Sequence, residues 1–312
     1  MKFNFKSLFR KKIGEENKPK EIKDYYDIAP IDNTGAAYRM IMGQRSNGKT
    51  YSVTKRIIED YFLLRRRAAY VRRWAEDITP KNVQNLFSPH LKLIEELSGG
   101  KYNGVTYRAN EFRLCYINEE DKVEVKDPTA FCFAKSINAA EHGKGPDVGE
   151  IHIVCFDEFT TREGYLPNEF IKFCNVLSSI IRDRDDCIIY MLGNTVNRYC
   201  PYFDEMGLKG VETMPQGEIR VYHYGTSDLS VAVEYCDEVK ATKKVASKFF
   251  AFDNPQLEMI TTGAWELAMY PRAPYRIHEE DIWKMFYIKF ADNLLKGEII
   301  KRDKDLFIFF HP

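Results

Sequence analysis

Apolar and polar positions along this chain follow two rhythms, and each change of rhythm marks an element. A largely apolar run from Ala36 to Met42 contains a first core strand, Tyr38 to Met42. Val53, Ile57, Tyr61 and Leu64 then recur at helical spacing, which predicts one helix face packed on a sheet. Arg65-Arg66-Arg67 closes that helix with basic charge, where the helix dipole favours it. Ala68 to Val71 gives a second short strand, followed by Arg72-Arg73. Between about 101 and 134 the rhythm becomes alternation: Phe112, Leu114 and Tyr116 share one face, as do Val123 and Val125, then Phe131 and Phe133. This predicts antiparallel strands inserted into or flanking an α/β core. Glu141 to Pro146 reads as a loop by composition. Ile151 to Phe156 is a continuous apolar run with one histidine, the mark of a buried parallel strand. Phe170, Cys174, Leu177 and Ile181 return to helical spacing, and Cys187 to Leu192 forms another buried strand. Strands and helices in alternation predict a doubly wound, mostly parallel α/β sheet.

After about 200 the pattern loosens. Pro201, Gly207, Gly210, Pro215 and Gly217 punctuate a stretch that reads as a connector, with a last strand at Ile219 to Tyr224. Phe286 to Phe310 reads as two or three strands with a turn at Lys296-Gly297. The expected division is a flexible basic arm at 1–24, an α/β core at 25–225 and a linker at 226–284. At 285–312 a small β-rich domain begins, and its terminal apolar strand suggests that it is cut short or completed elsewhere.

Composition narrows the chemistry. Among 312 residues, 46 basic side chains balance 46 acidic ones, so any contact with a polyanion must come from local patches. Seven cysteines occur singly with no C-x-x-C, which argues against a disulfide framework and a zinc site and for small core residues in a reducing compartment. No uncharged apolar run approaches the length of a membrane span, and the start, Met1 to Lys12, lacks the continuous apolar region of a signal peptide. His152, inside a strand, reads as structural.

Gly43-Gln44-Arg45-Ser46-Asn47-Gly48-Lys49-Thr50 is a complete G-x-x-x-x-G-K-[ST] phosphate-binding loop between a strand and a helix. The glycines let backbone N–H groups turn toward phosphate oxygens, Lys49 brings charge to the β/γ-phosphates, and the Thr50 hydroxyl can ligand Mg²⁺. The expected cofactors are therefore ATP and Mg²⁺. The strand from Ile151 ends in Asp157-Glu158: the first acid can hold the Mg²⁺ shell, and the second is placed to orient an attacking water. That pair points to hydrolysis rather than transfer to a small molecule; its bland alternative is a solvated loop start. Ile188 to Leu192 leads into Gly193-Asn194-Thr195, where Asn194 or Thr195 could sense the γ-phosphate or simply form a turn. Arg182 and Arg184 lie between helix and strand, placed either to reach a neighbouring subunit's nucleotide or to pair locally with Asp183, Asp185 and Asp186. Lys144 is a second candidate for contact in trans, and Arg45 could act in cis.

The loop, Tyr70-Val71-Arg72-Arg73, Cys155-Phe156-Asp157-Glu158-Phe159 and Gly193-Asn194-Thr195, in this order, resemble the DNA-packaging (encapsidation) ATPases of small podoviruses with protein-primed linear genomes. Those are relatives of terminase large subunits, in the additional-strand catalytic-glutamate class of P-loop motors, and the resemblance spans roughly residues 30–225. It implies a homopentameric ring in the host cytoplasm, docked at the portal vertex of a procapsid and driving double-stranded DNA inward. It assigns Lys49 and Thr50 to phosphate and Mg²⁺, Asp157 to the metal and Glu158 to water. It places a trans-acting arginine near Arg182 or Arg184 and an auxiliary trans-acting lysine near Lys144. It also implies a C-terminal domain that helps bind a portal-associated packaging RNA, of which only some 30 strand-like residues stand here. Two other classes fit the residues: a helicase-type motor on single strands, and a nucleotide-gated assembly protein.

Overall fold

The computed structural model describes residues 25–139, 150–161, 164–182, 184–196, 200–237, 239, 248, 279–290 and 293–310. The expected basic arm at 1–24, Lys144 with its loop, Asp183 and most of the expected linker lie outside them.

The strands are β1 (Tyr38–Gly43), β2 (Arg67–Arg72), β3 (Gly104–Arg108), β4 (Glu111–Ile117), β5 (Val123–Lys126), β6 (Cys132–Ser136) and β7 (Ile151–Asp157). Then follow β8 (Ile188–Asn194), β9 (Ile219–His223), β10 (Ser230–Tyr235), β11 (Ile282–Phe290), β12 (Asn293–Arg302) and β13 (Asp305–Phe310). The α-helices are α1 (Ala29–Asp32), α2 (Lys49–Leu64), α3 (Pro80–Val83), α4 (Leu91–Ser98), α5 (Glu169–Ile181) and α6 (Pro201–Glu205). Ten strands form one mixed sheet in the order β3-β4-β6-β2-β7-β8-β1-β10-β9, with β5 on β4. Its centre, from β6 across to β10, is parallel throughout. Antiparallel strands flank it at both ends.

The period-2 pattern of the buried strands sorts side chains onto two faces. Met40, Val154, Phe156 and Met191 pack with Phe173 and Leu177 of α5 on one face. Ile41, Ile153, Cys155 and Leu192 pack with Val53, Ile57 and Tyr61 of α2 on the other. Helices therefore cover both faces of a parallel centre, as the alternation of elements predicts.

Several details differ from expectation. Leu64 is exposed, because α2 stops there on Arg65 in the left-handed conformation (φ 58°), and the buried face takes Ile58 instead. Arg67 begins β2 rather than ending the helix. In α5 the buried stripe is Phe173, Val176, Leu177 and Ile180, so Phe170, Cys174 and Ile181 lie at its margin. Val123 and Val125 are exposed. β6 pairs parallel with β2 and belongs to the centre of the sheet, whereas β3, β4 and β5 are the flanking antiparallel strands.

The expected boundary at 225 falls inside the core. β10 runs parallel beside β1, with Met40 opposite Val233, and Val231, Ala232 and Val233 are fully buried. The stretch read as a connector is packed too, since α6 places Tyr202 and Phe203 in the core. β11, β12 and β13 form a separate three-stranded antiparallel sheet. Lys296-Gly297 is not a turn: Gly297 sits within β12 between Phe286 and Phe310. A Cβ there would come within 2.3 Å of the Phe286 ring, which meets the Phe310 ring edge-on at 5.6 Å across the gap. The glycine makes room for an aromatic pair. Among the described residues, no helix is long and apolar enough to cross a membrane.

Candidate functional site

The parallel strands deliver the sequence-predicted residues to one edge of the sheet. β1 ends in Gly43, β7 in Asp157 and β8 in Asn194, with β8 standing between β1 and β7. Chemistry carried by three strand ends therefore converges at their carboxyl edge, the place where open α/β sheets bind ligands.

The loop from Gly43 to Gly48 needs its glycines. A Cβ on Gly43 would come within 2.8 Å of the Cys236 Cβ, and Gly48 has φ +100°. Asn47 is buried, and its carbonyl accepts from the Tyr26 amide at 2.9 Å, which ties the loop to the segment preceding α1. Lys49 is buried with its ammonium across the loop, donating to Gln44 O at 2.8 Å, Asn47 Oδ1 at 3.1 Å and Gly43 O at 3.3 Å. It also reaches Asn194 Oδ1 at 3.4 Å. Burial lowers the pKa of this ammonium, with the Asp157 carboxylate among the groups opposing the shift.

Thr50 Oγ1 lies 3.4 Å and 3.3 Å from the two Asp157 oxygens, and Tyr70 donates to Asp157 Oδ2 at 3.0 Å. Burial raises the Asp157 pKa, while Arg72, Tyr70 and Lys49 oppose it and Glu158 adds to it. The donor set fits a magnesium–triphosphate: one hydroxyl and one carboxylate, both hard oxygens, beside a lysine and a turn of backbone amides. Mg²⁺ is commonly held this way, by one or two protein oxygens with substrate phosphates completing the shell. Among the described residues, no cluster of three or more His, Cys, Asp or Glu side chains offers a metal cage of another kind.

Glu158 follows in the left-handed conformation (φ 60°), and its carboxylate accepts from Arg72 Nη2 at 2.6 Å. Arg72 also lies 3.4 Å from Asp77 and 3.9 Å from Asp157. The strained turn is braced from behind. Arg73, almost fully buried, donates to the Glu158 carbonyl at 3.1 Å and the Phe159 carbonyl at 2.7 Å, and forms a two-point pair with Glu169 at 2.7 and 2.9 Å. Glu169 accepts in addition from Tyr202 at 2.9 Å and the Leu166 amide at 2.8 Å. The tips of β7 and β8 are joined directly, since Phe159 N donates to Leu192 O at 3.1 Å and Thr160 Oγ1 to Asn194 O at 2.8 Å. Gly193 permits this approach: a Cβ there would meet Thr160 Oγ1 at 2.6 Å.

Two clefts open at this edge. One, of about 310 Å³, is lined by Arg45 to Tyr51 with Asp157, Glu158 and Leu192 to Asn194. The other, of about 340 Å³, shares Arg45, Glu158 and Asn194 and is bounded by Arg72, Arg73 and Trp74. Arg45 is exposed and lines both clefts, as Glu158 does. Of the two expected phosphate sensors, Asn194 lines the clefts, whereas Thr195 is fully buried.

Arg182 and Arg184 are not brought to this site. Arg184 donates to the Ile151 carbonyl and to Ile180 O at 3.1 Å, and it lies 3.7 Å from Asp186. Ile151 opens β7, at the end opposite Asp157 and about 20 Å away by strand rise. The local-pairing alternative describes Arg184. Exposed Arg182 ends α5 in an irregular conformation (φ 53°, ψ −124°). His152, expected to be structural, pairs with Asp186 at 2.7 Å.

The roles of Tyr70, Arg72 and Arg73 are not visible in the sequence alone. The signal was present as charge closing a buried strand, but their partners lie on β7 and α5.

Behind the loop, buried His90 stacks on Tyr51 with ring centroids 4.4 Å apart and meets Thr54 Oγ1 at 2.9 Å. Burial, helped by Lys55, pushes its pKa down to about 4. The unfolded chain protonates this imidazole near pH 6.5, so His90 removes stability as pH falls from about 6.5 to about 4 and adds no further loss below that. Between pH 7 and about pH 4.5 the urea midpoint of wild type should therefore fall by more than that of His90→Phe.

Comparison with known proteins comes to the same place. A DNA packaging protein of Bacillus phage B103 is 28% identical over 178 residues, covering 54% of this chain and 47% of that protein, so the chain spans about half the length of this curated relative. The crystal structure of the N-terminal domain of the DNA packaging ATPase from bacteriophage phi29 aligns with TM-score 0.53 at 20% identity, covering 69% of this chain and 98% of that one. The Phi-28 gp11 DNA packaging motor aligns with TM-score 0.56 at 17% identity, covering 92% and 80%. At these identities the structural likeness is one of fold. The family model described as podovirus DNA encapsidation protein (Gp16) matches residues 23–246, well over half of the 312. The chain belongs to the podovirus DNA encapsidation protein family.

Proposed function

We propose that this protein is an ATP-hydrolysing motor that translocates double-stranded DNA during packaging of a viral genome. The observation that carries this reading is the convergence of Lys49, Thr50, Asp157 and Glu158 at the ends of β1 and β7 and the start of α2. In this reading the mixed sheet is a P-loop core of the additional-strand catalytic-glutamate type, and β8 is the additional strand. The core runs from about residue 25 through β10, and the sheet of β11 to β13 is a separate small domain.

Gly43 to Thr50 would bind the triphosphate through backbone amides and the Lys49 ammonium, which exchanges loop carbonyls for phosphate oxygens. Thr50 and Asp157 would hold Mg²⁺, whose charge offsets that of the phosphates when it is bound. Tyr70 fixes the Asp157 carboxylate from behind. Glu158 would orient water and accept its proton; to do so it must loosen its 2.6 Å pair with Arg72. Arg73 keeps the Glu158 backbone in its left-handed turn through that release. Asn194, between Lys49 and Thr160, is placed to report the state of the γ-phosphate to the tips of both strands. Arg45 would act in cis, and a residue of a neighbouring subunit would complete the site; Arg182 and Lys144 remain candidates.

The family and the packaging motors of similar fold support a ring, which we propose to be a pentamer, working on duplex DNA at the portal vertex of a procapsid in the host cytoplasm, with a packaging RNA as a further partner. Lys49→Ala tests the nucleotide reading. It should abolish ATP turnover and weaken ATP binding by at least about tenfold, the loss of one charge-assisted contact. Unchanged binding in that variant would remove the loop from the mechanism.

A further inference from the structure

Tyr51 is the residue of the loop cleft that the proposed chemistry leaves without a task. It stands on the first turn of α2, directly after Thr50, and lines the cleft with the loop, yet the residue is 45% exposed. Its neighbours are turned elsewhere: Lys49 toward Asn194 on β8 and Thr50 toward Asp157 on β7. Tyr51 is instead turned toward the segment before α4, where its ring stacks against His90 at 4.4 Å with the planes inclined by 41°. His90 is buried and held by Thr54 at 2.9 Å, and Phe87, three residues earlier, is fully buried in the core. The tyrosine ring is therefore braced by a buried aromatic, and the same residue lines the cleft.

A solvent-facing aromatic locked in place is what stacking on a planar ligand requires, because the ring then loses little freedom on binding. The first-turn amides of α2 have no partner inside the helix and suit phosphate oxygens. A triphosphate seated there, with its terminal phosphate toward β7 and β8, has its nucleoside end toward the remaining wall. We propose that Tyr51, braced by His90, is the stacking platform for the base of the bound nucleotide. This rests on the nucleotide reading of the loop and adds the part that separates a nucleoside triphosphate from a bare polyphosphate. Stacking accepts any base face, so the platform gives affinity for a nucleotide without selecting the base.

Calorimetric binding to the full chain, with Mg²⁺-ATP and Mg²⁺-tripolyphosphate as separate probes, tests it. Tyr51→Ala should weaken ATP by about tenfold and leave tripolyphosphate within about twofold, while Tyr51→Phe and Tyr51→Trp bind both like wild type. His90→Ala should weaken ATP alone, by less, because the ring loses its brace. Equal losses for both probes in Tyr51→Ala would assign Tyr51 to the shape of the helix start and overturn the platform. No loss for either probe would overturn it too, as would an ATP-only loss on changing instead Tyr25, an exposed tyrosine beside Gly48 of the loop. Failure of the underlying reading has a different signature: wild type binds neither probe, or Lys49→Ala leaves both unchanged.

Discussion

Glu158→Gln should bind ATP as wild type does and lose turnover by about a hundredfold to ten-thousandfold, the range for removing a positioned general base. The substitution keeps the shape of the side chain and most of its hydrogen bonding. Arg72 can still donate to the amide oxygen, so the 2.6 Å contact survives in weaker form and the clefts keep their walls. What disappears is the capacity to take a proton from water. The contrast with Lys49→Ala is informative, because that change removes an ammonium needed for binding as well as for turnover. Steady-state turnover alongside equilibrium binding on the same preparation separates the two. Full turnover in Glu158→Gln would show that Glu158 only pairs with Arg72, and would leave the acid at this strand end without a catalytic task.

Arg73→Met should destabilise the core by about 3–5 kcal/mol, the cost of breaking a buried ion pair from one side. Both partners are inside: the Arg73 side chain is 5% exposed and that of Glu169 1%. The variant leaves Glu169 charged without its counter-ion and strands the carbonyls of Glu158 and Phe159. Adding Glu169→Leu should recover a large part of the loss, since the unpaired charge rather than the missing attraction dominates the penalty. Urea midpoints for the two single variants and the double variant check this. Because Arg73 holds the Glu158 turn, turnover in the double variant should stay low even where stability returns. Recovery of both would make the pair purely structural.

The parts of the site that the sequence disclosed are those built from adjacent residues. Loop glycines, Lys49 and Thr50 are contiguous, and Asp157-Glu158 and Gly193-Asn194 each close a buried strand, so local pattern and charge were enough. The parts it concealed depend on pairing between distant segments. β10 has only a short apolar stretch after a turn containing Gly225, and nothing local says that it lies beside β1, some 190 residues earlier. Arg72 and Arg73 find Glu158 and Glu169 across 86 and 96 residues of sequence. Glycine misled at Gly297, where space for the Phe286 ring and not a turn is the requirement. Arg184 leaves two readings open in sequence, a distant role or a local pair, because only the folded chain brings the start of the neighbouring strand within its reach.

The most direct measurement is ATP turnover by the full chain with no nucleic acid, with duplex DNA and with single-stranded DNA of the same length. Mg²⁺-dependent hydrolysis should rise with duplex, rise less with single strands, and vanish in Lys49→Ala under all three conditions. Stimulation by single strands alone, or nucleotide binding without hydrolysis under any of them, would contradict a duplex-translocating ATPase.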